Sequence, residues 1–475
     1  MGKVSKRDRL KILRTEMPIR PAEKRKEDFE EVPIGYTLEE AIVEATRCLD
    51  CKNPHCIAGC PVSIDIPGFL GKIEEQDMQG AIDILMDTNQ LPSICGRVCP
   101  QDQQCELVCI VGNKNKPVAI GNLERFVADY AREHNLLPKI TFEKELDQKV
   151  AIIGSGPAGL TAAAQLRKEG YQVTIYEALH KAGGVLFYGI PRFRLPADVI
   201  DSEIKAVTDS GVKIELNTLI GRTYTIEQLF NEMGFDAVMI GTGAGLPKML
   251  GIEGENYKGN FSANEFLTRV NLMRADKFPE YITPVVMGKK VVIIGAGNTA
   301  MDAARTALRF NPESVTVVYR RSRDEAPART EEIEHAEQEG VQFMFLHNPV
   351  KFLGDENYNL VGMEVSKMEL GEPDESGRRR PHAIEGSNFV LETDMVVQSL
   401  GFGVNPLISS TTTGIDLTHW GSIVVDENGM TSRDGIFAAG DIITGGSTVI
   451  MAMGQAKKAA AGIIKYLKAK KAVQK

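Results

Sequence analysis

All eight cysteines of this 475-residue chain lie between Cys48 and Cys109. They form two runs with short spacings, Cys48-x2-Cys51-x4-Cys56-x3-Cys60 and Cys95-x3-Cys99-x5-Cys105-x3-Cys109. In each run one cysteine precedes a proline. Cysteines so closely spaced are typical of iron–sulfur sites, because thiolates bind the irons and short loops enclose each cluster. The sequence therefore predicts an iron–sulfur module near the N-terminus, and a zinc site is the alternative.

The region around the cysteines is predicted to be α-helical. Thr37 and Glu40 have the spacing of a capping box at the start of a helix. Segments 67–87 and 121–134 carry apolar residues at helical spacing, and the cysteines fall at the ends of these helices or between them. We therefore expect a helical iron–sulfur domain over residues 1–145.

A glycine fingerprint follows, in the order Gly154-Ser155-Gly156-Pro157-Ala158-Gly159. It comes directly after an apolar strand, residues 149–153, and opens a helical segment. Gly154 permits a tight turn, Gly156 lets the backbone approach a pyrophosphate, and Gly159 lets helix and strand pack closely. Glu177 ends the next strand, where a carboxylate can bind both ribose hydroxyls. The helix N-terminus adds N–H donors for the phosphates, so a dinucleotide site is predicted.

Two later segments favour FAD as this dinucleotide. Gly440 and Asp441 close the sequence GIFAAGD, which resembles the second FAD motif of flavoproteins with two dinucleotide domains. In those proteins the aspartate holds the ribityl chain, and a helix predicted from Thr448 to Leu467 would direct its N-terminus at the isoalloxazine. An ordinary turn aspartate is the alternative for Asp441. The other segment covers residues 183–194 and supplies the remaining candidates, which are Gly184, Val185, Leu186 and Arg194.

A second fingerprint reads Gly295-Ala296-Gly297-Asn298-Thr299-Ala300 and also follows an apolar strand. The next strand ends in Tyr319-Arg320-Arg321 and carries no acid there. Arginines at this position can pair with a 2′-phosphate, which a carboxylate would repel, so NADP(H) is favoured over NAD(H). A solvated surface cluster is the alternative for these arginines, and Arg329 is a further candidate. Hydride transfer needs no side-chain acid or base, so we assign no catalytic residue.

The repeat of strand, glycine loop and helix predicts an α/β fold with two Rossmann-like dinucleotide-binding domains after the helical domain. We expect the FAD-binding domain over residues 146–285 and 397–475, and the NADP(H)-binding domain over residues 286–396. The glycines at 241–245 would mark a crossover between these domains near the flavin. No cysteine follows residue 109, so no redox-active Cys-x-x-Cys pair faces the flavin, which excludes disulfide reductases.

Composition and charge exclude two classes of binding partner. A net charge of −9 and the lack of a long basic stripe argue against binding to nucleic acid. The chain has no uninterrupted apolar run of membrane-spanning length, and its basic N-terminal segment has no apolar signal core. We therefore expect a cytoplasmic protein that binds neither nucleic acid nor membrane.

Together the motifs resemble the glutamate synthase small (beta) subunit family, whose N-terminal module is shared with dihydropyrimidine dehydrogenase. The resemblance runs from about residue 30 to about residue 468. It is carried by the cysteine runs and by the segments CGRVCPQ, IGNLERF, GSGPAGL, GGVLFYGIPRFRLP, GNTAMDAA and FAAGDI. Within the family, SANEFLTRVNLM, DKFPEY and LGEPDESGRRRP resemble the large subunits of NADH-dependent reduced ferredoxin:NADP+ oxidoreductases.

The resemblance implies two [4Fe–4S] clusters with interleaved ligands, whereas spacing alone would give each run its own cluster. The ligands of the first cluster would be Cys48, Cys51, Cys56 and Cys109. The ligands of the second would be Cys60, Cys99, Cys105 and Glu124. Cys95 would then be spare, and it is the alternative fourth ligand. Without the resemblance, Glu124 would be interpreted as an exposed helix glutamate.

The resemblance also implies an electron-transfer flavoprotein subunit that takes a hydride from NADPH and passes single electrons through the clusters. In a ferredoxin:NADP+ oxidoreductase, the FAD would bifurcate electrons between ferredoxin and a second flavoprotein subunit with NAD(H) and a [2Fe–2S] cluster. One alternative is the small subunit of NADPH-dependent glutamate synthase, which passes electrons to a glutamate-forming large subunit. Another is a relay module in a larger hydrogenase or transhydrogenase complex.

Overall fold

The computed structural model describes residues 4–373, 377 and 379–473. A helical domain is followed by two α/β domains, each built on a five-stranded parallel sheet, so the predicted fold class is confirmed. Residues 374–376 and 378 of the segment LGEPDESGRRRP lie outside the described residues. Within the described ranges, no helix is both long enough and apolar enough to cross a membrane.

The helical domain surrounds the cysteines. Its helices are α1 (Lys6–Arg9), α2 (Ala22–Arg25), α3 (Leu38–Ala45), α4 (His55–Ala58), α5 (Ile66–Glu74), α6 (Met78–Thr88), α7 (Pro92–Val98) and α8 (Ile120–Glu133). The capping box at α3 is confirmed, since Thr37 and Glu40 exchange both hydrogen bonds. The helical pattern over 67–87 is interrupted at Gln76, whose φ of 60° ends one helix before Asp77 caps the next.

The first α/β domain begins with β1 (Lys149–Ile153), α9 (Pro157–Lys168), β2 (Gln172–Tyr176), α10 (Val185–Tyr188), α11 (Ala197–Thr208), β3 (Lys213–Glu215), α12 (Ile226–Asn231) and β4 (Ala237–Ile240). The chain then enters the second domain through β5 (Leu246–Pro247), β6 (Asn260–Ser262), α13 (Ala263–Asn271), β7 (Lys290–Ile294), α14 (Asn298–Leu308), β8 (Ser314–Tyr319), α15 (Thr330–Glu339) and β9 (Gln342–Phe345). In both domains a short strand leads directly into a glycine loop and a helix.

An antiparallel sheet extends the second domain before the chain returns to the first. Its strands are β10 (His347–Gly354), β11 (Leu360–Pro373), β12 (Arg379–Ala383) and β13 (Phe389–Glu392). The remaining elements are β14 (Met395–Gln398), β15 (Phe402–Gly403), α16 (Leu407–Thr411), β16 (Ile436–Ala438), α17 (Asp441–Thr444) and α18 (Val449–Val473). The first sheet has the order β16-β4-β1-β2-β3 and the second β6-β14-β7-β8-β9, so β16 completes the first sheet.

The boundaries between the two α/β domains differ from those expected at 285/286 and 396/397. β6 pairs in parallel with β14, and α13 packs into the core of the second sheet, so the second domain already begins at Asn260. The expected break at 396/397 falls inside β14, which stays in the second sheet. The early start left no sequence signal because β6 is three residues long and precedes no glycine loop. The two chain segments that connect the α/β domains meet where β5 pairs with β15, just after the glycines at 241–245.

The helical domain and the first α/β domain share one hydrophobic core. Ile94 of α7, Leu123 of α8, Leu166 of α9 and Met453 of α18 all belong to it and are fully buried. Separating the two domains would expose this apolar surface, at a cost of about 25 cal/mol for each Å². The helical domain and the first α/β domain therefore form one unit, while the second sheet has its own core clusters.

A buried ion cluster joins the second α/β domain to this unit. The Glu339 carboxylate on α15 lies 2.9 Å from Arg25 of α2, 2.7 Å from Arg305 of α14 and 2.9 Å from Arg309, and all four side chains are fully buried. The guanidiniums of Arg305 and Arg309 also cover the ring of Phe193 from the first α/β domain. All three domains thus meet at one set of charges.

We expect Glu339→Ala to lower the free energy of unfolding by about 3–5 kcal/mol, because it leaves buried guanidiniums without their acceptor. Burial opposes ionisation of Glu339, but Arg305 and Arg309 lower its pKa below the usual 4.5. Its contribution is therefore present at neutral pH and is lost as the pH falls below that value. Chemical denaturation measures the loss, with exposed Glu334→Ala on the same helix as control. Equal effects of the two substitutions would contradict the assignment.

Candidate functional site

One cavity of about 1350 Å³ lies between the two α/β domains and reaches the helical domain. Sites for one small ligand usually measure about 300–1,000 Å³, so this cavity is large. Both glycine fingerprints line it, as do Val98 and Pro100 of the helical domain. The cavity meets the carboxyl ends of β1, β2, β7 and β8, which is the edge where open parallel sheets bind ligands.

The first fingerprint has the backbone geometry that a pyrophosphate cradle needs. Gly154 has a φ of 101°, and a Cβ there would lie 2.5 Å from the carbonyl oxygen of Gly241. A Cβ at Gly159 would lie 2.0 Å from the Gly154 oxygen, so the helix and strand pack too closely for any side chain. A Cβ at Gly156 would meet nothing within 4 Å, because this residue faces open space. Pro157 and Ala158 continue the same wall at the start of α9.

Glu177 lies at the end of β2, where it is buried at the cavity wall. Its carboxylate accepts hydrogen bonds from the Ser155 backbone N–H at 3.0 Å and from the Leu179 N–H at 2.8 Å. The side chain is therefore fixed beside the fingerprint, and its contact with a ribose stays a prediction.

The second FAD motif contacts the first. Gly440 has a φ of 83°, and a Cβ there would lie 3.1 Å from the Cβ of Ala158. Asp441 Oδ1 accepts hydrogen bonds from the N–H (3.1 Å) and the hydroxyl (2.8 Å) of Ser447, and burial raises the pKa of Asp441. Thr448 lines the cavity and its Oγ1 accepts an N–H of the first turn of α18. Two segments far apart in sequence thus form one wall.

The residues after the Gly183–Gly184 pair divide between wall and core. Gly184 has a φ of 55°, and a Cβ there would lie 3.0 Å from the Gly156 Cα. Val185 lines the cavity and is 38% exposed. Leu186 differs from the expectation, because its side chain is fully buried in the shared core and packs there instead of facing a ligand.

Arg194 lines the cavity but is already paired with two carboxylates of the second α/β domain. Its Nη1 lies 2.8 Å from both oxygens of Asp302, and its Nε lies 3.1 Å from Glu332. Burial alone would lower the pKa of Arg194, but these two carboxylates outweigh it and raise the pKa. The guanidinium therefore links the two dinucleotide domains across the cavity, in place of the free cofactor contact expected from sequence.

The second fingerprint repeats the geometry of the first. Gly295 has a φ of 120°, and a Cβ there would lie 2.4 Å from the carbonyl oxygen of Ser399. Gly297 is the N-cap of α14, and Asn298 and Thr299 line the cavity in its first turn. Ala300 is fully buried in the second core. It therefore takes the helix-packing role of the third position and does not form part of the wall.

The three candidate arginines have different surroundings. Arg320 lines the cavity at the end of β8. The Arg321 side chain is half-buried and is not part of the cavity wall formed by the described residues. Arg329 differs from the expectation, since its guanidinium donates to the Arg97 carbonyl oxygen at 3.0 Å and to Glu331 at 2.8 Å. Arg329 thus connects the second α/β domain to the helical domain.

The first group of candidate metal ligands surrounds one apolar recess, and its members are Cys48, Cys51, Cys56 and Cys109. Burial raises the pKa of the Cys48 thiol to about 11, and Cys51 and Cys109 add to this rise. The group takes members from both cysteine runs, which is the interleaved arrangement and not one group per run. Among the described residues, no three His, Cys, Asp or Glu side chains converge closely enough to hold a single metal ion.

The second group is more deeply buried and consists of Cys60, Cys99, Cys105 and Glu124. Burial raises the pKa of Cys105, and the neighbouring Glu106, Glu124 and Cys99 raise it further. The pKa of Cys60 is also raised by burial, with Glu124 and Cys99 again as neighbours. These four side chains therefore share one electrostatic environment inside the helical domain.

Glu124 and Cys95 both contact Asn89, and Cys95 also lies beside Cys99. Burial raises the pKa of Glu124 to about 8, and its Oε1 accepts a hydrogen bond from Asn89 at 2.6 Å. Burial thus favours the neutral carboxyl group over the carboxylate, and a bound metal would stabilise the carboxylate, which suits a ligand role. The Cys95 Sγ contacts Asn89 Oδ1 at 3.7 Å and the Met453 sulfur at 3.5 Å. The fourth ligand of the second group therefore stays a prediction.

The two groups lie at different depths between the cavity and the surface. Val98 and Pro100, which flank Cys99 in sequence, both line the main cavity. The recess of the first group is instead bordered by Ile110, which is 41% exposed, and by Val108, which is 39% exposed. Exposed residues thus border the first group, whereas the sequence neighbours of Cys99 border the cavity.

Sequence reasoning missed several residues of the cavity wall, including Tyr188, Lys248, His347, Asn348 and Pro349. Tyr188 lies in the GGVLFYGIP segment, close to Val185 in sequence, and this proximity could have identified it. Burial raises the pKa of Tyr188 to about 12. Residues 347–349 carry no motif. They reach the cavity because β9 ends next to β8, which only the sheet register reveals.

We expect Cys95→Ala to keep the iron content near that of the parent, about eight irons per chain for two four-iron clusters, and Cys99→Ala to lose about half of it. The reason is that Cys99 belongs to the second group, whereas Cys95 is spare when Glu124 is the fourth ligand. Iron and acid-labile sulfide in anaerobically purified protein provide the measurement. Equal iron loss in both variants would contradict the interleaved scheme.

Two family models match the chain. Residues 25–136 match dihydropyrimidine dehydrogenase domain II, 4Fe-4S cluster. Residues 148–456 match pyridine nucleotide-disulphide oxidoreductase. The first match contains every cysteine, and the second contains both glycine fingerprints together with Asp441.

Relatives and a solved structure agree with these matches. The glutamate synthase [NADPH] small chain of Azospirillum brasilense is 37% identical over 95% of this chain and 94% of its own length. The NADPH-Fe(3+) oxidoreductase subunit beta of Geobacter sulfurreducens is 39% identical over 90% of this chain, which spans only 65% of that relative. Mycobacterium tuberculosis FprA in complex with NADPH shares the fold, with a TM-score of 0.57 at 21% identity over 69% of this chain and 86% of that one. The chain therefore belongs to the glutamate synthase small-subunit family and is an NADPH-dependent oxidoreductase with FAD and [4Fe–4S] clusters.

Proposed function

We propose that this chain is the NADPH-oxidising subunit of a larger enzyme and that it delivers single electrons to a partner subunit. The observation that carries the proposal is one shared cavity, which has both dinucleotide fingerprints on its walls together with Val98 and Pro100, the two sequence neighbours of Cys99. FAD supplies the chemistry that this layout needs, since it accepts a hydride and releases electrons one at a time.

Each wall of the cavity has a proposed task. The loop from Gly154 to Gly159 binds the FAD pyrophosphate, Glu177 the ribose and Asp441 the ribityl chain, while the N-terminus of α18 faces the isoalloxazine. The loop from Gly295 to Thr299 binds the NADP(H) pyrophosphate. No side chain transfers a proton in this scheme, so the protein's part is to stack the two rings and exclude water.

The two cysteine groups are proposed to hold one [4Fe–4S] cluster each. Both groups suit cluster ligation, because each gathers three or four thiols in a water-poor pocket lined by short loops. The second group, next to the cavity, would receive electrons first, and the first group would pass them to the surface. A carboxylate ligand from Glu124 would give the inner cluster a different potential from the all-thiolate outer one.

The favoured partner is a glutamate-forming large subunit. This proposal is supported by the glutamate synthase small chains, which this chain matches over nearly their full length. A second candidate is the bifurcating ferredoxin:NADP+ oxidoreductase with ferredoxin and a NAD(H)-binding flavoprotein as partners. It is supported by the segments SANEFLTRVNLM and DKFPEY. In both cases we place the protein in the cytoplasm.

Anaerobic affinity purification from the native host, followed by mass spectrometry, separates these two candidates. Recovery of a large subunit with a glutamine amidotransferase domain is expected for a glutamate synthase. Recovery of a smaller flavoprotein with a [2Fe–2S] motif would move the assignment to the bifurcating enzyme. A preparation that contains neither partner and still reduces its acceptor with NADPH would contradict the subunit role itself.

We expect Arg320→Ala to weaken NADPH binding about tenfold or more, because a charge-assisted hydrogen bond to the 2′-phosphate is lost. NADH has no 2′-phosphate, so its affinity should stay unchanged. The matched control is Arg323→Ala, since Arg323 lies nearby but pairs with Glu337 on the surface. Binding is measured by equilibrium titration of each nucleotide. Unchanged NADPH affinity in the Arg320 variant would remove this arginine from the site.

A further inference from the structure

His347 lines the nucleotide cavity, although no sequence motif includes it. It follows β9, which pairs in parallel with β8 so that Tyr319 and Phe345 are register partners. Arg320 comes one residue after Tyr319, and His347 comes two residues after Phe345. Neighbouring strands lie about 4.8 Å apart. Arg320 and His347 therefore extend from adjacent positions on the same carboxyl edge of the sheet.

The imidazole of His347 is held in a defined position. Its Nδ1 lies 2.7 Å from the carbonyl oxygen of Phe345. A carbonyl oxygen can only accept, so Nδ1 carries a hydrogen and Nε2 remains for a ligand. The ring packs edge-on against Phe389, with centroids 5.7 Å apart and planes at 86°. The backbone N–H of Leu346 also donates to the Arg321 carbonyl oxygen at 3.0 Å, which ties the two strand ends together.

A second donor beside Arg320 is needed if this edge binds a phosphate, and Arg321 does not supply it from the cavity wall. In parallel α/β domains the adenosine ribose lies at the end of the second strand, which here is β8. His347 stands on the next strand along and faces the same space. Its Nε2 can donate to a phosphate oxygen in the imidazolium form of the ring, in which both nitrogens carry hydrogens.

We propose that His347 is a specificity-determining residue that binds the ribose 2′-phosphate of NADP(H) together with Arg320. The inference rests on the proposed NADP(H) site and adds a contact from the start of the antiparallel sheet. A nucleotide with a free 2′-hydroxyl offers no charge at this position. The contact therefore separates NADPH from NADH, and it does not serve binding of the adenine that both nucleotides share.

The test compares kcat/KM for NADPH and for NADH in the anaerobic holoprotein, with ferricyanide as electron acceptor. His347→Ala should lower the NADPH value about tenfold through KM, while the NADH value changes less than about twofold. His347→Gln keeps an N–H donor and should recover part of the NADPH value. The matched control is His382→Ala, which removes an exposed imidazole from β12 of the same sheet.

Two outcomes would overturn the inference. An equal loss with both nucleotides would show that His347 contacts the shared adenosine, and no loss with either would remove it from the site. Measurements on the parent protein and on Arg320→Ala distinguish a failure of this inference from a failure of the proposed function. If the parent oxidises NADPH preferentially and Arg320→Ala abolishes that preference, an unchanged kcat/KM for NADPH in His347→Ala refutes the histidine contact alone. A parent without preference for NADPH would refute the NADP(H) site as a whole.

Discussion

Cys99 follows the last residue of α7, and its neighbours Val98 and Pro100 line the nucleotide cavity. The proposed electron path depends on this helix keeping its position. Both neighbouring elements fix it. The N–H of Ser93 in its first turn donates to Glu203 of α11 at 2.8 Å, so the first α/β domain caps the helix. Near its other end, a Cβ at Gly96 would lie 2.5 Å from the backbone nitrogen of Arg125, so α7 and α8 meet backbone to backbone. Every residue of α7 is buried, and a single shared core surrounds it. The helix α7 is therefore held from both sides, and a redox centre bound at Cys99, as proposed, would be held with it.

The second α/β domain is held differently, through charge. Arg194 reaches Asp302 across the cavity, and Glu339 gathers three arginines from two domains. Buried ion pairs often add little net stability, because desolvation offsets much of the attraction, but separating the partners is costly because it leaves a buried charge uncompensated. This interface thus defines the orientation of one dinucleotide domain against the other, which the stacking of two cofactor rings requires. Its polar character also explains why the two domains keep separate hydrophobic cores.

Sequence patterns predicted the parts of this site that depend on local backbone constraints. Gly154 and Gly295 have positive φ values and no room for a Cβ, so each position requires glycine. The two fingerprints can therefore be recognised in the sequence by their fixed glycine spacing. The expected start of the second domain at residue 286 differs from the sheet pairing, because the three-residue strand Asn260–Ser262 joins the second sheet only through β14, more than a hundred residues later. The directions of Arg329 and His347 depend on tertiary packing and on strand register, which spacing does not encode. For the cysteines, the interleaved grouping came from family resemblance; four thiols from both runs line one recess, and their role as ligands stays a prediction.

Electron entry at the cavity and exit through the inner and then the outer cysteine group is tested most directly by rapid-freeze EPR. The anaerobic holoprotein and its Cys99→Ala variant would be mixed with NADPH and frozen over a time course. In the parent, both [4Fe–4S] clusters should become reduced after the flavin. In the variant, the flavin should still be reduced at the parent rate, while the outer cluster at Cys48, Cys51, Cys56 and Cys109 stays oxidised over the same interval. Reduction of that outer cluster at the parent rate would contradict a path through Cys99.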